Sequence, residues 1–76
     1  MQIDRDTQNR WILGGDLPGV HFRMQQWVNV KSGPHAGKRG MVVSLCSLGS
    51  DPVFHVEVSE RDDFEAKQSE LEAVNH

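Results

Sequence analysis

The sequence predicts an all-β fold, a small barrel or sandwich built from five short strands. Glycine and proline recur at short intervals from Gly14 to Pro52, and only short apolar runs lie between them. This spacing is typical of strands joined by tight turns. The chain has 76 residues and room for one small core, because a domain of this size buries only about 60% of the surface that its unfolded chain exposes.

The N-terminal region, residues 1–20, is predicted to be an extension of a domain that covers residues 21–76. Residues 4–13 favour a short helix, in which Trp11, Ile12 and Leu13 would supply apolar contacts. Residues 14–19 contain three glycines and a proline. Such a composition predicts a loop.

The first two strands are predicted from the pattern after residue 26. Trp27 to Lys31 alternates, which indicates a half-buried strand with Val28 and Val30 on one face and Trp27 on the other. The run from Met41 to Leu48 is more continuously apolar. It predicts a central strand, or a strand with a local bend that redirects its side chains.

The C-terminal half predicts three more strands. A turn at residues 50–52 leads into a strand from Val53 to Val58, which should form a hairpin with the second strand. The charged residues 60–63 form a tip, and residues 68–70 a tight turn. The residues expected to face the core are Phe54, Val56 and Val58 in the third strand and Phe64 and Ala66 in the fourth. Leu71 and Val74 should close the sheet, with Leu71 as the buried residue of the C-terminal segment.

The net charge of −3 hides an uneven distribution. Six basic and three acidic residues precede Met41, whereas two basic and eight acidic residues lie from Met41 onward. This asymmetry is compatible with a basic and an acidic side, and equally with a solvated acidic face that binds nothing. The first twenty residues lack an apolar run, and Cys46 is the single cysteine. We therefore expect no membrane association, no internal disulfide and a cytoplasmic location.

The most informative segment is the loop between the first two strands. Its glycines, Gly33 and Gly37, allow the positive φ of a tight reversal, and Pro34 restricts its own φ. Gly40 lets the second strand start close to a neighbouring backbone. The pattern resembles the KOW motif of SH3-like barrels, found in NusG-type transcription factors and in ribosomal proteins of the L24 and L26 families. The matching residues are Val28, Val30, Gly33, Pro34, Gly37, Gly40, Val42 and Leu45.

The resemblance implies a five-stranded SH3-like barrel that acts as a binding module for RNA or a ribonucleoprotein. The positions implied to face a phosphate or a partner are Lys31, His35, Lys38 and Arg39. The chain departs from the ribosomal members, which are as a rule strongly basic. Its acidic total predicts weak and strongly salt-dependent binding to nucleic acid.

A second hypothesis is a protein-interaction or assembly subunit, or a homodimer. It would use Trp11, Phe22 and Trp27 together with the acidic C-terminal half. The alternative for these aromatic residues is that they pack together as a small second cluster. RNA binding should weaken steeply with salt, whereas aromatic contacts should tolerate it.

The sequence does not predict catalysis. None of the four histidines has a partner at metal-ligand spacing, and Cys46 lies within the most apolar strand. The segment Gly33 to Arg39 lacks the glycine spacing and the Ser or Thr of a phosphate-binding loop. We therefore expect a non-enzymatic protein with no metal, no cofactor and no small-molecule substrate.

Overall fold

Five antiparallel strands in one sheet form most of the computed structural model, which describes residues 3–74. The strands run in the order β4-β3-β2-β1-β5, so β4 and β5 are the two edges. The prediction of an all-β fold with five strands is confirmed. The elements are α1 (Arg5–Ile12), β1 (Trp27–Val30), β2 (Arg39–Ser47), β3 (Val53–Ser59), β4 (Asp62–Lys67), a 3₁₀ helix (Gln68–Glu70) and β5 (Leu71–Ala73).

Helix α1 packs against the sheet. The Asp4 side chain caps it, with Oδ1 accepting a hydrogen bond of 2.7 Å from the Thr7 N–H. A helix of eight residues is marginal in isolation. Its attachment comes from Trp11, which is buried, and from Gln8, whose side-chain amide donates to the Leu45 carbonyl and accepts from the Leu45 N–H.

Gln8 thereby extends the hydrogen bonding of β2 past the first residue of β1, Trp27. Val42 bonds through its carbonyl to the Gln25 N–H and through its N–H to the Gln26 carbonyl. Farther along β2, the Gln8 amide replaces the missing strand at Leu45 at distances of 2.7 and 3.2 Å. The residues of the predicted N-terminal extension therefore share one core with the sheet.

The core lies on one face of the sheet and includes α1 and the segment that follows it. The Phe54 ring is central: its centroid lies 6.1 Å from Trp11 and 5.6 Å from Phe22. The indole Nε1 of Trp11 donates to the Phe22 carbonyl at 2.8 Å. The buried apolar residues are Trp11, Phe22, Val28, Val30, Val42, Leu45, Phe54, Val56, Phe64, Ala66 and Leu71.

Two predictions about apolar side chains are wrong. Ile12 and Leu13 do not join Trp11 in the core, and Leu13 is 85% exposed at the end of α1. Val58 is 37% exposed, because the pairing between β3 and β4 shifts register between Glu57 and Ser59. A register shift ends the simple alternation of faces on which the prediction for Val58 depended.

The bend expected in the second strand is present. Strand β2 shifts register against β3 at two places, between Val42 and Ser44 and between Leu45 and Ser47. Near its start, Gly40 is buried against the neighbouring backbone. A Cβ atom at this position would lie 2.8 Å from the Glu57 carbonyl oxygen, so the close approach of β2 to β3 requires glycine. Within residues 3–74, no helix is long and apolar enough to cross a membrane.

Candidate functional site

The β1–β2 loop, residues 31–38, has the tight shape that its glycines predict. Gly33 has a φ of +86° and Gly37 a φ of +94°. The Gly37 N–H donates to the Val30 carbonyl, and the Val30 N–H donates to the Lys38 carbonyl, both at 2.8 Å. The loop thus closes on itself and holds its side chains in fixed positions at the start of β2.

Two of the predicted binding residues, His35 and Lys38, contact β4 instead of pointing away from the fold. The His35 ring stacks on the Phe64 ring at a centroid distance of 4.1 Å, and Lys38 Nζ lies 5.5 Å from the same centroid. Lys38 Nζ also donates to both carboxylate oxygens of Asp62, at 3.0 and 3.1 Å. The charge of Lys38 is therefore already paired within the chain.

The other two predicted basic residues are exposed. The Lys31 backbone N–H donates to the Glu70 carbonyl, whereas Arg39 Nε donates to the side-chain oxygen of Asn29 at 3.0 Å. Neither side chain takes part in the group around Phe64. The structure thus brings two of the four residues together and leaves Lys31 and Arg39 outside that group.

The three aromatic candidates divide between the core and the surface. Trp11 and Phe22 are 2% and 7% exposed and belong to the core, so they have no free surface for a partner. Trp27 is 45% exposed and does not pack with them. The expectation of a separate cluster of the three is therefore wrong, and Trp27 alone remains as an exposed aromatic candidate.

Trp27 belongs to a row of side chains that crosses four strands. In the register of the sheet it pairs with Met41, Met41 pairs with Glu57, and Glu57 pairs with Asp63. Directly paired residues project from the same face of a sheet. This face is the one opposite the core, since the residues that flank the row along the strands, Val28 in β1, Val42 in β2 and Val56 in β3, are buried.

A second row, of Ser44, His55 and Glu65, lies beside the first on the same face. His55 Nε2 forms a hydrogen bond of 2.6 Å with Asp63 Oδ2, which links the two rows. We call the surface formed by the two rows the outer face; it consists of Trp27, Met41, Ser44, His55, Glu57, Asp63 and Glu65. It carries three carboxylates, an imidazole and an exposed indole.

The alternation within single strands does not identify the carboxylates of the outer face as a group. The hydrogen-bond partner of His55 is Asp63 on the next strand, not Glu57 on its own strand. The signal that could have found this pair is the hairpin between the third and fourth strands. Once that hairpin is in register, Glu57 and Asp63 become direct neighbours and His55 lies beside them.

A groove of about 660 Å³ lies between the β1–β2 loop and the end of β4. Its lining includes Cys46, which is partly buried. Burial raises the pKa of the Cys46 thiol, and the negative charge of Glu65 raises it further. The thiol therefore stays protonated near neutral pH and is a poor nucleophile. The lining residues are Pro34, Cys46, Ser47, Val53, Glu65, Ala66, Lys67 and Glu70.

The chain has no match among known family models, curated proteins or solved structures.

Proposed function

We propose that the chain is a non-enzymatic protein-binding module whose outer face binds a basic segment of a partner protein. The observation that carries the proposal is the row from Trp27 to Asp63, which places an exposed indole at one end and the carboxylates of Glu57 and Asp63 at the other. Exposed tryptophan is among the side chains that contribute most to protein interfaces. The carboxylates select for positive charge in the segment that covers them.

The spacing of the row describes the partner. Adjacent strands lie about 4.8 Å apart, so Trp27 is about 10 Å from Glu57 and about 14 Å from Asp63 across the sheet. An extended chain covers these distances in about three or four residues. Side chains of an extended chain alternate between two faces, so residues four positions apart point the same way. The segment that fits therefore has an apolar residue over Trp27 and Met41, with lysine or arginine four positions before or after it.

The predicted RNA-binding role of Lys31, His35, Lys38 and Arg39 stays a prediction. The ion pair between Lys38 and Asp62 favours the protein-binding proposal over it, because a phosphate would have to compete with a carboxylate 3.0 Å away. We retain the kinship with KOW-type SH3-like barrels as a proposal for the architecture. Its support is the loop with positive φ at Gly33 and Gly37. A cytoplasmic location likewise stays a prediction.

The proposal is tested with fluorescently labelled synthetic peptides and fluorescence polarisation. The probe is an extended peptide that carries one leucine and several arginines. An acidic peptide of the same length and a single-stranded RNA oligonucleotide are the comparison ligands. The basic peptide should bind best. Changing Trp27→Ala or Glu57→Lys should weaken it, since one removes the indole and the other reverses a charge.

Matched variants serve as controls. Leu13→Ala removes an exposed apolar side chain just after α1, and Asp16→Lys makes the same charge change at an exposed position outside the five strands. Both should bind the basic peptide as the unchanged protein does. If the RNA binds tightly and the peptides do not, and if Lys31→Ala or Arg39→Ala abolishes RNA binding, the protein-binding proposal is wrong and the RNA-binding prediction stands.

A further inference from the structure

We infer that β4 is the edge that anchors the partner: an extended basic segment adds to β4 as a sixth strand and continues across the outer face. The inference rests on the proposed function and specifies how its partner is held. It depends on three features of β4, namely the direction of its backbone groups, the charge of its side chains and the space beside it.

Two hydrogen bonds at the end of β4 establish where its backbone groups point. The Lys67 N–H donates to the Glu70 side chain at 2.9 Å and so does not bond to β3. The next N–H, of Gln68, donates to the Pro52 carbonyl at 2.7 Å. Backbone groups in an antiparallel pair alternate between facing the partner strand and facing away from it.

The alternation can be followed back along β4 in the observed register. Phe64 and Ala66 lie four and two residues before Gln68, so their backbone groups also bond to β3. Asp63 and Glu65 alternate with them, as Lys67 does, so their N–H and C=O groups face away from β3. Within residues 3–74, no protein group bonds to the outward groups of Asp63 and Glu65. These four groups form an open edge of the kind that accepts an added strand.

The side chains of the same residues define the chemistry of the added strand. Asp63 and Glu65 project on the outer face, so the residues directly opposite them would be basic. Opposite charges at such positions stabilise a strand pair. On the other face, Phe64 and Ala66 are buried and the His35 ring stacks on Phe64, so the apolar residues of the added strand would contact the β1–β2 loop. A segment of alternating basic and apolar residues satisfies both faces.

Beside β4, the β1–β2 loop contacts Asp62 and Phe64, and the open space lies toward the end of the strand. There Glu65, Ala66 and Lys67 line the groove of about 660 Å³, together with the loop and with residues of β2 and β3. The other edge, β5, is only three residues long and offers fewer backbone groups. A second copy of this chain is a poor occupant, since two β4 edges would place carboxylates opposite carboxylates.

Amide hydrogen exchange, measured by nuclear magnetic resonance, tests the inference. The probe is a synthetic peptide of alternating lysine and valine. In the free protein, the amides of Asp63 and Glu65 should exchange faster than those of Phe64 and Ala66, which bond to β3. When nine-tenths of the protein is bound, exchange at Asp63 and Glu65 should slow about tenfold, because only the free fraction exchanges. Phe64 and Ala66 are internal controls.

Charge variants and modified peptides give a second measurement. Glu65→Lys replaces attraction to a peptide lysine by repulsion and should weaken binding by about 2- to 30-fold, whereas Asp16→Lys, outside the strands, should not. N-methylation of the backbone nitrogen at every lysine, or at every valine, removes the N–H donors along one edge of the peptide strand. The charges of the lysine side chains are unchanged. One of these two peptides should lose binding and the other should keep it.

The results separate the inference from the proposed function. If the peptide binds but exchange at Asp63 and Glu65 is unchanged and both methylated peptides bind equally well, the added strand is refuted and binding on the outer face stands. If the unmodified peptide does not bind at all, the proposed function fails and the added strand with it.

Discussion

Replacing Trp11 tests whether helix α1 is part of the core. The indole is 2% exposed, contacts Phe54 and donates its Nε1 hydrogen to the Phe22 carbonyl. Loss of a buried tryptophan to alanine costs about 3–5 kcal/mol. A core of this size supplies about 3–5 kcal/mol in total. Trp11→Ala should therefore leave much of the chain unfolded at room temperature.

Trp11→Phe is the more informative variant, because it keeps a buried ring and removes the hydrogen bond. The Phe22 carbonyl would lose its partner, at a cost of about 1–3 kcal/mol. For a domain of this size, each kcal/mol lowers the melting temperature by about 4–8 °C. Thermal unfolding followed by circular dichroism measures the change. The matched control is Trp27→Phe at an exposed position, where the free energy of unfolding should change by no more than about 0.5 kcal/mol. Equal melting temperatures for the two variants would refute the assignment of Trp11 to the core.

Three further predictions concern other parts of the fold. Gly40→Ala should lower the free energy of unfolding by about 1–3 kcal/mol in chemical denaturation, because the added methyl group overpacks the β2–β3 contact; an unchanged midpoint would contradict this close approach. Cys46 should react with iodoacetamide more slowly in the folded chain than in denaturant. Glu65→Gln should speed the reaction of the folded chain, because it lowers the pKa of the thiol. A rate unaffected by folding would show that the thiol is not shielded. Hydrogen bonds from the Ser69 hydroxyl and N–H lower the pKa of Asp51 below its ordinary value of 3.8. This lowering stabilises the fold above about pH 4 and is lost as the pH falls through the lowered pKa, so the stability deficit of Ser69→Ala should shrink on acidification.

Most of the sheet could be predicted from the sequence, because its strands alternate apolar and polar residues between clear turn residues. Phe54, Val56, Phe64, Ala66 and Leu71 are all buried as the alternation predicts. Each of these predictions depends only on the two-residue period of a strand. The pattern is local, so no knowledge of the rest of the chain is needed.

The arrangement around the first helix could not be predicted in the same way. Whether Trp11 is buried depends on where a short helix packs, and Gln8 attaches this helix to Leu45, 37 residues away. Phe22 lies outside any helix or strand, so it has no periodicity from which burial could be inferred. The exposed Val58 differs from the pattern because the register shift between Glu57 and Ser59 falls on it.

The candidate site was predicted only in part. The exposure of Trp27 follows from the alternation of β1, and the shape of the β1–β2 loop follows from its glycines. The pairing of Lys38 with Asp62 does not follow from any local pattern, because it depends on how the loop lies beside a residue 24 positions away in β4. The acidic outer face required the register of four strands, which the sequence does not specify.

Chemical-shift mapping of the isotope-labelled chain during titration with the leucine- and arginine-containing peptide tests binding on the outer face. Shifts should concentrate on the Trp27 indole N–H and on the amides of Glu57 and Asp63, and should decrease with added salt. Shifts confined to the β1–β2 loop, or shifts that appear only when RNA is added, would contradict binding on the outer face.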